Sequence, residues 1–279
     1  FKMNLKDLAG AGPVSFQGAF GAYSDQAARK LFPDTLTLPC ATFEDAAEAV
    51  HNGQARLAVI PVDNTLAGRV ADVHRLLPQS NLFIVGETFL PIRHCLLGTG
   101  TLDQVKEVHS HIHALPQCTR YIKEHGLTPK VHGDTAGAAE MVSQLKDPSK
   151  AAIASELAGT IYGLNVLAQG IQDEDHNATR FLVLSGSAIR PEGNDPCLTT
   201  LLFRVRNIPA ALHKALGAFA AHNVQLSKLE SYMDPNFQAA QFLCDVEGVS
   251  DRGDLAQALR DLEPITEDIK ILGSYRKAA

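Results

Sequence analysis

From Val14 to about Ser185, short β-rich runs alternate with amphipathic helical runs, and at Glu192-Gly193-Asn194-Asp195-Pro196 that alternation stops. Repeated strand-then-helix order is the pattern of parallel sheets covered by helices on both faces, so an α/β architecture is expected before the break. Val14-Ser15-Phe16 reads as a strand, Gly18 and Gly21 as a loop, and Ser24 as the N-cap of a helix that packs Ala27, Ala28 and Leu31 and stops at Pro33. Thr42 with Asp45 three residues on opens a second helix, which ends at Gly53, and Leu57 to Val62 is a buried strand. Strands follow around Leu82 to Leu97 and at Glu107 to Ser110. A helix is expected from about Leu115 to His125, and another capped by Asp134 or Thr135. After the strand Ala151-Ala152-Ile153, Ser155 caps a helix that Gly163 ends. Chains of this kind often form two lobes whose strand ends face one crevice.

Beyond the polar break the periodicity changes, which marks a new domain. Thr199 to Arg206 alternates with Leu201, Phe203 and Val205 on one face. Pro209 then opens a helix with Leu212, Ala215, Leu216, Phe219 and Ala220 at helical spacing. Strands at Val224 to Met233 and Ala239 to Glu247, a helix through Leu255, Ala258, Leu259 and Leu262, and a strand at Ile269 to Leu272 complete the order βαββαβ, a ferredoxin-like unit. The expected domains are therefore 12–190 and 197–279.

With 279 residues, 31 acidic against 25 basic side chains and no basic run, a nucleic-acid surface is excluded as a general function, and an anionic ligand would need locally placed donors. Cys40, Cys95, Cys118, Cys197 and Cys244 form no CxxC pair and read as separate thiols in a reducing compartment, which makes cytoplasm the expected location. No apolar stretch is long enough to span a bilayer. Phe1 to Leu8 carries Lys2 and Lys6 without a signal-peptide core and reads as a ragged start.

Several segments have the composition of sites, each with a structural alternative. The Gly18-to-Ser24 turn could direct backbone N–H groups at a carboxylate, but its GxxG spacing is not a dinucleotide fingerprint. Asp63, Asn64 and Thr65 end a buried strand and either hold a ligand or cap the next helix; Arg69 either pairs a carboxylate or lies in solvent. His109, His111 and His113 would share a face if their strand continued, yet no supporting ligand spacing stands nearby, so a metal is not expected. Ser110 and His111 at the strand end could instead bond a ligand. Cys118 reads as a buried structural thiol. Ser155 and Glu156 are a cap with a dipole-compensating acid, or ligand contacts at a strand's carboxyl end. In Asn177-Ala178-Thr179-Arg180-Phe181 a polar loop meets a strand, and on the residues alone a strand-starting Thr with an edge Arg is the simpler account.

Together these segments resemble the prephenate dehydratase family. The likeness rests on the Gly18-to-Ser24 turn, the Asn64-to-Val70 loop, Asp134-Thr135-Ala136-Gly137-Ala138-Ala139, Ala151-to-Ala158, Tyr162-Gly163-Leu164 and Thr179-Arg180-Phe181, in the family's order across nearly the whole chain. The resemblance implies a two-lobed, periplasmic-binding-protein-like catalytic part followed by a C-terminal ACT domain, and it implies conversion of prephenate to phenylpyruvate with loss of carbon dioxide and water. It implies no cofactor and no metal, phenylalanine as an allosteric effector, and a homodimer or homotetramer.

By the same resemblance Thr179 is the expected catalytic hydroxyl, a hydrogen-bond donor to the leaving oxygen, with Arg180 as counter-charge or brace and Phe181 as a pocket wall. Asn64, Thr65, Ser110, His111, Ser155 and Glu156 are the expected substrate contacts. The proton source stays open among Asp63, Glu156, Asp175, His176 and water. Ala210, Ala211, Leu212, Asn223, Leu226, Glu230 and Ser231 are the expected effector residues. Here the tail departs from the family: Ala210-Ala211-Leu212 stands for Gly-Ala-Leu, and Glu230-Ser231-Tyr232-Met233 for Glu-Ser-Arg-Pro, which puts the effector's affinity in question. Two alternatives remain beside the dehydratase: arogenate as the substrate, and a non-catalytic two-lobed sensor.

Overall fold

The computed structural model describes residues 8, 10, 12–233 and 239–278. The run holding Lys2 and Lys6 lies outside the described residues. Strand β1 (Val14–Gln17) enters the glycine turn and then helix α1 (Tyr23–Leu31). Ala22 rather than Ser24 is the N-cap, because Asp25 accepts the Gly21 N–H at 2.8 Å and starts the helix earlier. After β2 (Thr37–Cys40), the expected reciprocal Thr42–Asp45 pair caps α2 (Phe43–His51). Then come β3 (Leu57–Asn64), β4 (Gly68–Arg69), α3 (Ala71–Gln79) and β5 (Phe83–Pro91).

Strands β6 (Cys95–Gly98) and β7 (Glu107–His111) follow. The helix expected from Leu115 is split into a 3-10 turn, Leu115–Cys118, and the short α4 (Thr119–Glu124). Pro116 starts the tight turn, and Cys118 has non-helical backbone between the two. Next are β8 (Thr128–His132), α5 (Thr135–Leu145), β9 (Lys150–Ala154), α6 (Glu156–Tyr162), β10 (Asn165–Gln169) and β11 (Ala178–Ser185). Asp134 caps α5 by accepting the Gly137 N–H at 2.7 Å, and Ser155 caps α6 by accepting that of Ala158 at 3.1 Å. Gly163 ends α6 in the left-handed region, φ 65°.

The first sheet has the order β2-β1-β3-β11-β5, with β4 paired to β3; β1 is parallel to both β2 and β3. The second has the order β10-β6-β9-β7-β8 and is mixed: β7 runs parallel to β8 and β9, while β6 is antiparallel to β9 and β10. It therefore departs from the all-parallel expectation. Strands β2, β8 and β10 have no counterpart in the sequence reading, and all three are edge strands. Their side chains are mostly half-buried or exposed, and β8 contains Pro129, so no buried alternation announces them.

The carboxyl-terminal part is β12 (Cys197–Val205), α7 (Ala211–Ala221), β13 (Leu226–Met233), β14 (Ala239–Glu247), α8 (Gly253–Leu262) and β15 (Thr266–Arg276). Its antiparallel sheet, ordered β13-β14-β12-β15, is the ferredoxin-like arrangement expected from the sequence. Leu201, Phe203, Phe242, Cys244 and Val246 pack on Ala215, Phe219, Leu255 and Leu262 to form its core. Ala210, before α7, has φ 57°, a left-handed conformation that costs a residue with a Cβ about 1 kcal/mol.

Packing divides the chain differently from the polar break. One compact unit joins Leu77–Glu87 to the segment from Val183 onward, and the other holds the preceding described residues together with Thr88–Leu182. Within the first unit, Gly273 passes so close to Ile84 that a Cβ would overlap the Ile84 carbonyl. Lys270 Nζ also donates to the Pro78 carbonyl at 2.7 Å, and the Ala278 N–H to Glu87 Oε1 at 3.1 Å. The start of β5 is thus packed on the ferredoxin-like sheet, although the chain reaches it before the break.

Candidate active site

A cavity of about 270 Å³ lies within the second unit and takes side chains from both sheets' surroundings. From the first sheet's side come Gly18, Tyr23 and Ser24 of the glycine turn and α1, Asn64 at the end of β3, and Thr179 and Phe181 of β11. The second sheet's side supplies His94, His111, Gln117 and the Gly133–Thr135 segment at the start of α5. Its lining residues include no Lys and no Arg. The N-terminal ends of α1 and α5 both reach the wall, and the α1 end has no side-chain cap, so the Tyr23 and Ser24 N–H groups remain for a ligand.

The strand period decides which signature residues reach the cavity. In β11, Thr179 and Phe181 face it, and Arg180 points to the other side, where Nη1 lies 3.7 Å from Asp63 Oδ2. Asp63 in turn stands 3.4 Å from the Nε2 of buried His74. Behind Thr179 there is therefore a charged brace, not a counter-charge in the cavity.

A directed hydrogen-bond chain runs along the cavity wall. Asn64 Oδ1 accepts the backbone N–H groups of Leu66 and Ala67 at 2.9 and 2.8 Å, which fixes its amide and turns Nδ2 toward β11. That nitrogen donates to Asn177 Oδ1 and to Thr179 Oγ1, both at 2.8 Å. Asn177 Nδ2 then donates to Gln117 Oε1 at 2.7 Å, and His94 Nε2 stands 3.0 Å from the same oxygen. His94 Nδ1 faces the Tyr23 hydroxyl at 2.7 Å. Because Thr179 Oγ1 accepts from Asn64, its own hydrogen is left for the cavity.

The other expected contacts are placed differently. Thr65 does not line the cavity; its hydroxyl donates to the His176 carbonyl at 3.0 Å and accepts the Ala178 N–H at 2.9 Å, clipping the loop before Thr179 to β3. Ser110 and Ser155 are buried and face backbone: Ser110 Oγ donates to the Ile153 carbonyl and Ser155 Oγ to the Gly21 carbonyl, each at 2.5 Å. Glu156 accepts from Gln169 Nε2 at 3.1 Å at the surface. Neither these four nor Arg180 are among the lining residues; Asn64, His111, Thr179 and Phe181 are. Of the open proton sources, Asp63, Glu156, Asp175 and His176 also lie off the cavity. Tyr23, His94, Gln117 and Asn177 were not assigned from sequence. A lone His opening an apolar strand and a Gln between Pro116 and Cys118 carry no spacing signal; Asn177 had one, its place beside Thr179.

β7 ends at His111, so His113 has left the strand and the three histidines do not form one face; the His111 and His113 rings are 5.2 Å apart and tilted. Burial, then the neighbouring His113, pushes the His111 pKa down. Among the described residues no three His, Cys, Asp or Glu side chains are grouped to hold a metal. Cys118 is fully buried and its thiol is pushed up to about 12 by burial, which leaves no thiolate for nucleophilic chemistry.

In the ferredoxin-like unit, Ala210, Ala211 and Leu212 start α7, whereas Asn223 follows its end, about 16 Å away along the axis. Asn223 lines a separate cavity of about 510 Å³ with Gln225, Glu247, Arg252 and Lys277. Leu226, Glu230 and Ser231 lie on the edge strand β13, with Ser231 exposed. The seven expected effector residues thus do not meet at one place within a single chain.

Two α/β lobes sharing one donor-lined cavity, followed by a ferredoxin-like unit, define a two-lobed α/β protein with a cavity of small-molecule size. Residues 14–188 match the family model for prephenate dehydratase, and the chain belongs to that family. It is 47% identical over 266 residues to the bifunctional N-acyl-homoserine lactone acylase/prephenate dehydratase of Komagataeibacter europaeus, covering 94% of this chain and 95% of that one. To arogenate dehydratase 2 of Petunia hybrida it is 39% identical over 281 residues, covering 94% of this chain and 71% of the relative. The crystal structure of prephenate dehydratase from Arthrobacter aurescens in complex with L-Phe superposes with a TM-score of 0.87 at 29% identity, covering 95% of this chain and 90% of that one. Among the described residues no helix is long and apolar enough to cross a membrane.

Proposed function

We propose that this chain is a lyase that converts prephenate to phenylpyruvate, carbon dioxide and water, the step that builds the aromatic ring of phenylalanine. The observation that carries this reading is the Asn64–Thr179 bond at 2.8 Å, which makes Thr179 an acceptor toward the protein and a donor toward the cavity. In the reaction the bond to the ring carboxylate breaks, its electron pair enters the ring, and the ring hydroxyl departs with the negative charge. A threonine is too weak an acid to surrender its proton, so Thr179 stabilises the departing oxygen by a hydrogen bond that strengthens as charge develops, and one proton taken up from the bulk solvent turns the departed hydroxide into water. Aromaticity of the product supplies the driving force, and the protein supplies orientation.

The substrate is a dianion, yet among the described residues no Lys or Arg lines the cavity. Its carboxylates are held by the N–H groups at the uncapped start of α1 and by neutral donors, with Phe181 against the ring. Arg180, Thr65 and Ser155 act one step back, holding β11, the Asn177 loop and the glycine turn in place. The ferredoxin-like unit serves as an ACT domain that binds phenylalanine as a feedback effector. The L-Phe complex named for the Arthrobacter structure supports this, as does the edge strand β13, whose exposed Leu229 and Met233 suit pairing in a homodimer or homotetramer. The five unpaired thiols support a cytoplasmic location.

Incubation with prephenate, following phenylpyruvate, tests the reaction; binding without product would favour the sensor. The Petunia relative's name makes arogenate the second substrate to try, with phenylalanine as the product to follow. Calorimetric titration with phenylalanine tests the ACT domain, and no heat of binding would remove the feedback reading.

A further inference from the structure

We infer that His94 is a positioning residue: it holds the Gln117 amide with its nitrogen toward the cavity, giving the site a second directed donor beside Thr179. For the chemistry this rests on the dehydratase reading above; the geometry stands without it. The direction of the chain is set at one end by backbone. Leu66 and Ala67 can only donate, so Asn64 Oδ1 accepts and Asn64 Nδ2 donates to Asn177 Oδ1. Asn177 must then donate from Nδ2, which places Gln117 Oε1, an acceptor, 2.7 Å away. That oxygen also faces His94 Nε2 at 3.0 Å, so the ring carries its hydrogen on Nε2, and Nδ1 accepts from the Tyr23 hydroxyl at 2.7 Å.

Both lone pairs of Gln117 Oε1 are thereby used. The Gln117 side-chain NH₂ has no partner among the described residues, and Gln117 lines the cavity, so the free donor is the group a ligand meets. In a cavity without Lys or Arg, reversing this amide would put a carbonyl oxygen before an anion. His94 is suited to prevent that. It is 1% exposed, its backbone N–H donates to Gln172 Oε1 at 2.9 Å, and its ring stands edge-on to Tyr23 with centroids 5.5 Å apart. Burial lowers its pKa, which favours a neutral ring with a single N–H. The Tyr23 hydroxyl has a single hydrogen, shared between His94 Nδ1 at 2.7 Å, the nearer acceptor, and the Arg93 carbonyl at 3.0 Å.

The test has a spectroscopic arm and a kinetic arm, both on the full chain. Nitrogen-15 spectra of histidine-labelled protein near neutral pH, with the His94 signal assigned by its loss in His94→Gln, are expected to show Nε2 protonated and Nδ1 bare. The opposite tautomer, or an imidazolium, would overturn the inference. In steady-state kinetics, His94→Leu is expected to lower kcat at least about tenfold with a smaller change in KM, while His94→Gln, which keeps an N–H near the Nε2 position, stays within about threefold of the parent. Equal losses in two folded variants would reduce His94 to packing and overturn it as well. If the parent turns over neither prephenate nor arogenate, the dehydratase reading falls, and the tautomer alone judges His94.

Discussion

Asn64 donates to the Thr179 hydroxyl across 2.8 Å while its own oxygen is held by two backbone N–H groups, so the direction of the bond is locked by main chain. The hydroxyl hydrogen of Thr179 is therefore committed to whatever occupies the cavity. Thr179→Ala is expected to lower kcat about 10²–10³-fold, on the order of a lost oxyanion donor, with the melting temperature little changed. Thr179→Ser should retain most of the rate. Near-parental turnover in the alanine variant would remove Thr179 from the mechanism.

Asn64→Asp tests the polarity separately from the hydroxyl. A carboxylate can still accept from Leu66 and Ala67, but it cannot donate, so the Thr179 hydrogen turns back toward residue 64. The expected result is a kcat loss comparable to that of Thr179→Ala in a folded protein. An active Asn64→Asp enzyme would mean that the direction of this bond is immaterial.

The Ser155 hydroxyl fastens the glycine turn to α6 through the Gly21 carbonyl, and at Gly21, with φ +86°, an added Cβ would stand 2.7 Å from Ala158 Cα. Ser155→Ala removes that bond and the cap of α6, a loss of about 1–2 kcal/mol. Gly21→Ala adds a backbone clash to a left-handed strain and should cost more. Denaturant unfolding orders the two variants, and KM should rise in both as the turn beneath the substrate loosens. A Gly21→Ala protein as stable as the parent would contradict this close approach.

Burial is the main cause that lowers the pKa of His94, His109 and His111, with His113 adding to it at His111. Each is harder to protonate folded than unfolded. Stability is therefore fully present above the unfolded value of about 6.5 and declines as pH falls through it toward the folded pKa values. Melting temperature should drop between about pH 7.5 and about pH 5.5, and His94→Gln should make that drop smaller. An unchanged slope in the variant would show that His94 does not contribute.

Ala210 holds a left-handed φ of 57° just ahead of α7, where the resemblance expects glycine. Ala210→Gly should stabilise the chain by a few tenths of a kcal/mol, roughly 0.5 at most, since relief of the Cβ clash slightly exceeds the added freedom of the unfolded chain. A destabilised variant in thermal unfolding would refute this.

The elements that sequence made legible are those whose burial leaves a period. The buried β3, the capped α2, α5 and α6, and the alternating Leu201, Phe203 and Val205 all follow from one-dimensional patterns. Edge strands such as β8 leave none, because half their surface meets solvent. The site divides in the same way. Thr179 and Phe181 came from a family signature, and strand alternation then separated Arg180 from them. His94, Gln117 and Tyr23 are 23 to 94 residues apart and meet only in the folded chain, through bonds that no local spacing encodes. Ser110 and Ser155 are the reverse case: polar residues at strand ends look like ligand contacts, but here they satisfy backbone carbonyls.

The close passage of Gly273 over Ile84 means that the visible linker is not a line along which the protein can be cut. A fragment ending near residue 190 would keep the Leu77–Glu87 segment but lose the surface it rests on. Ile84, now buried beneath Gly273, would gain exposure and offer separate molecules a place to adhere. For anyone producing this enzyme in pieces, the tail is part of what keeps the head from clumping.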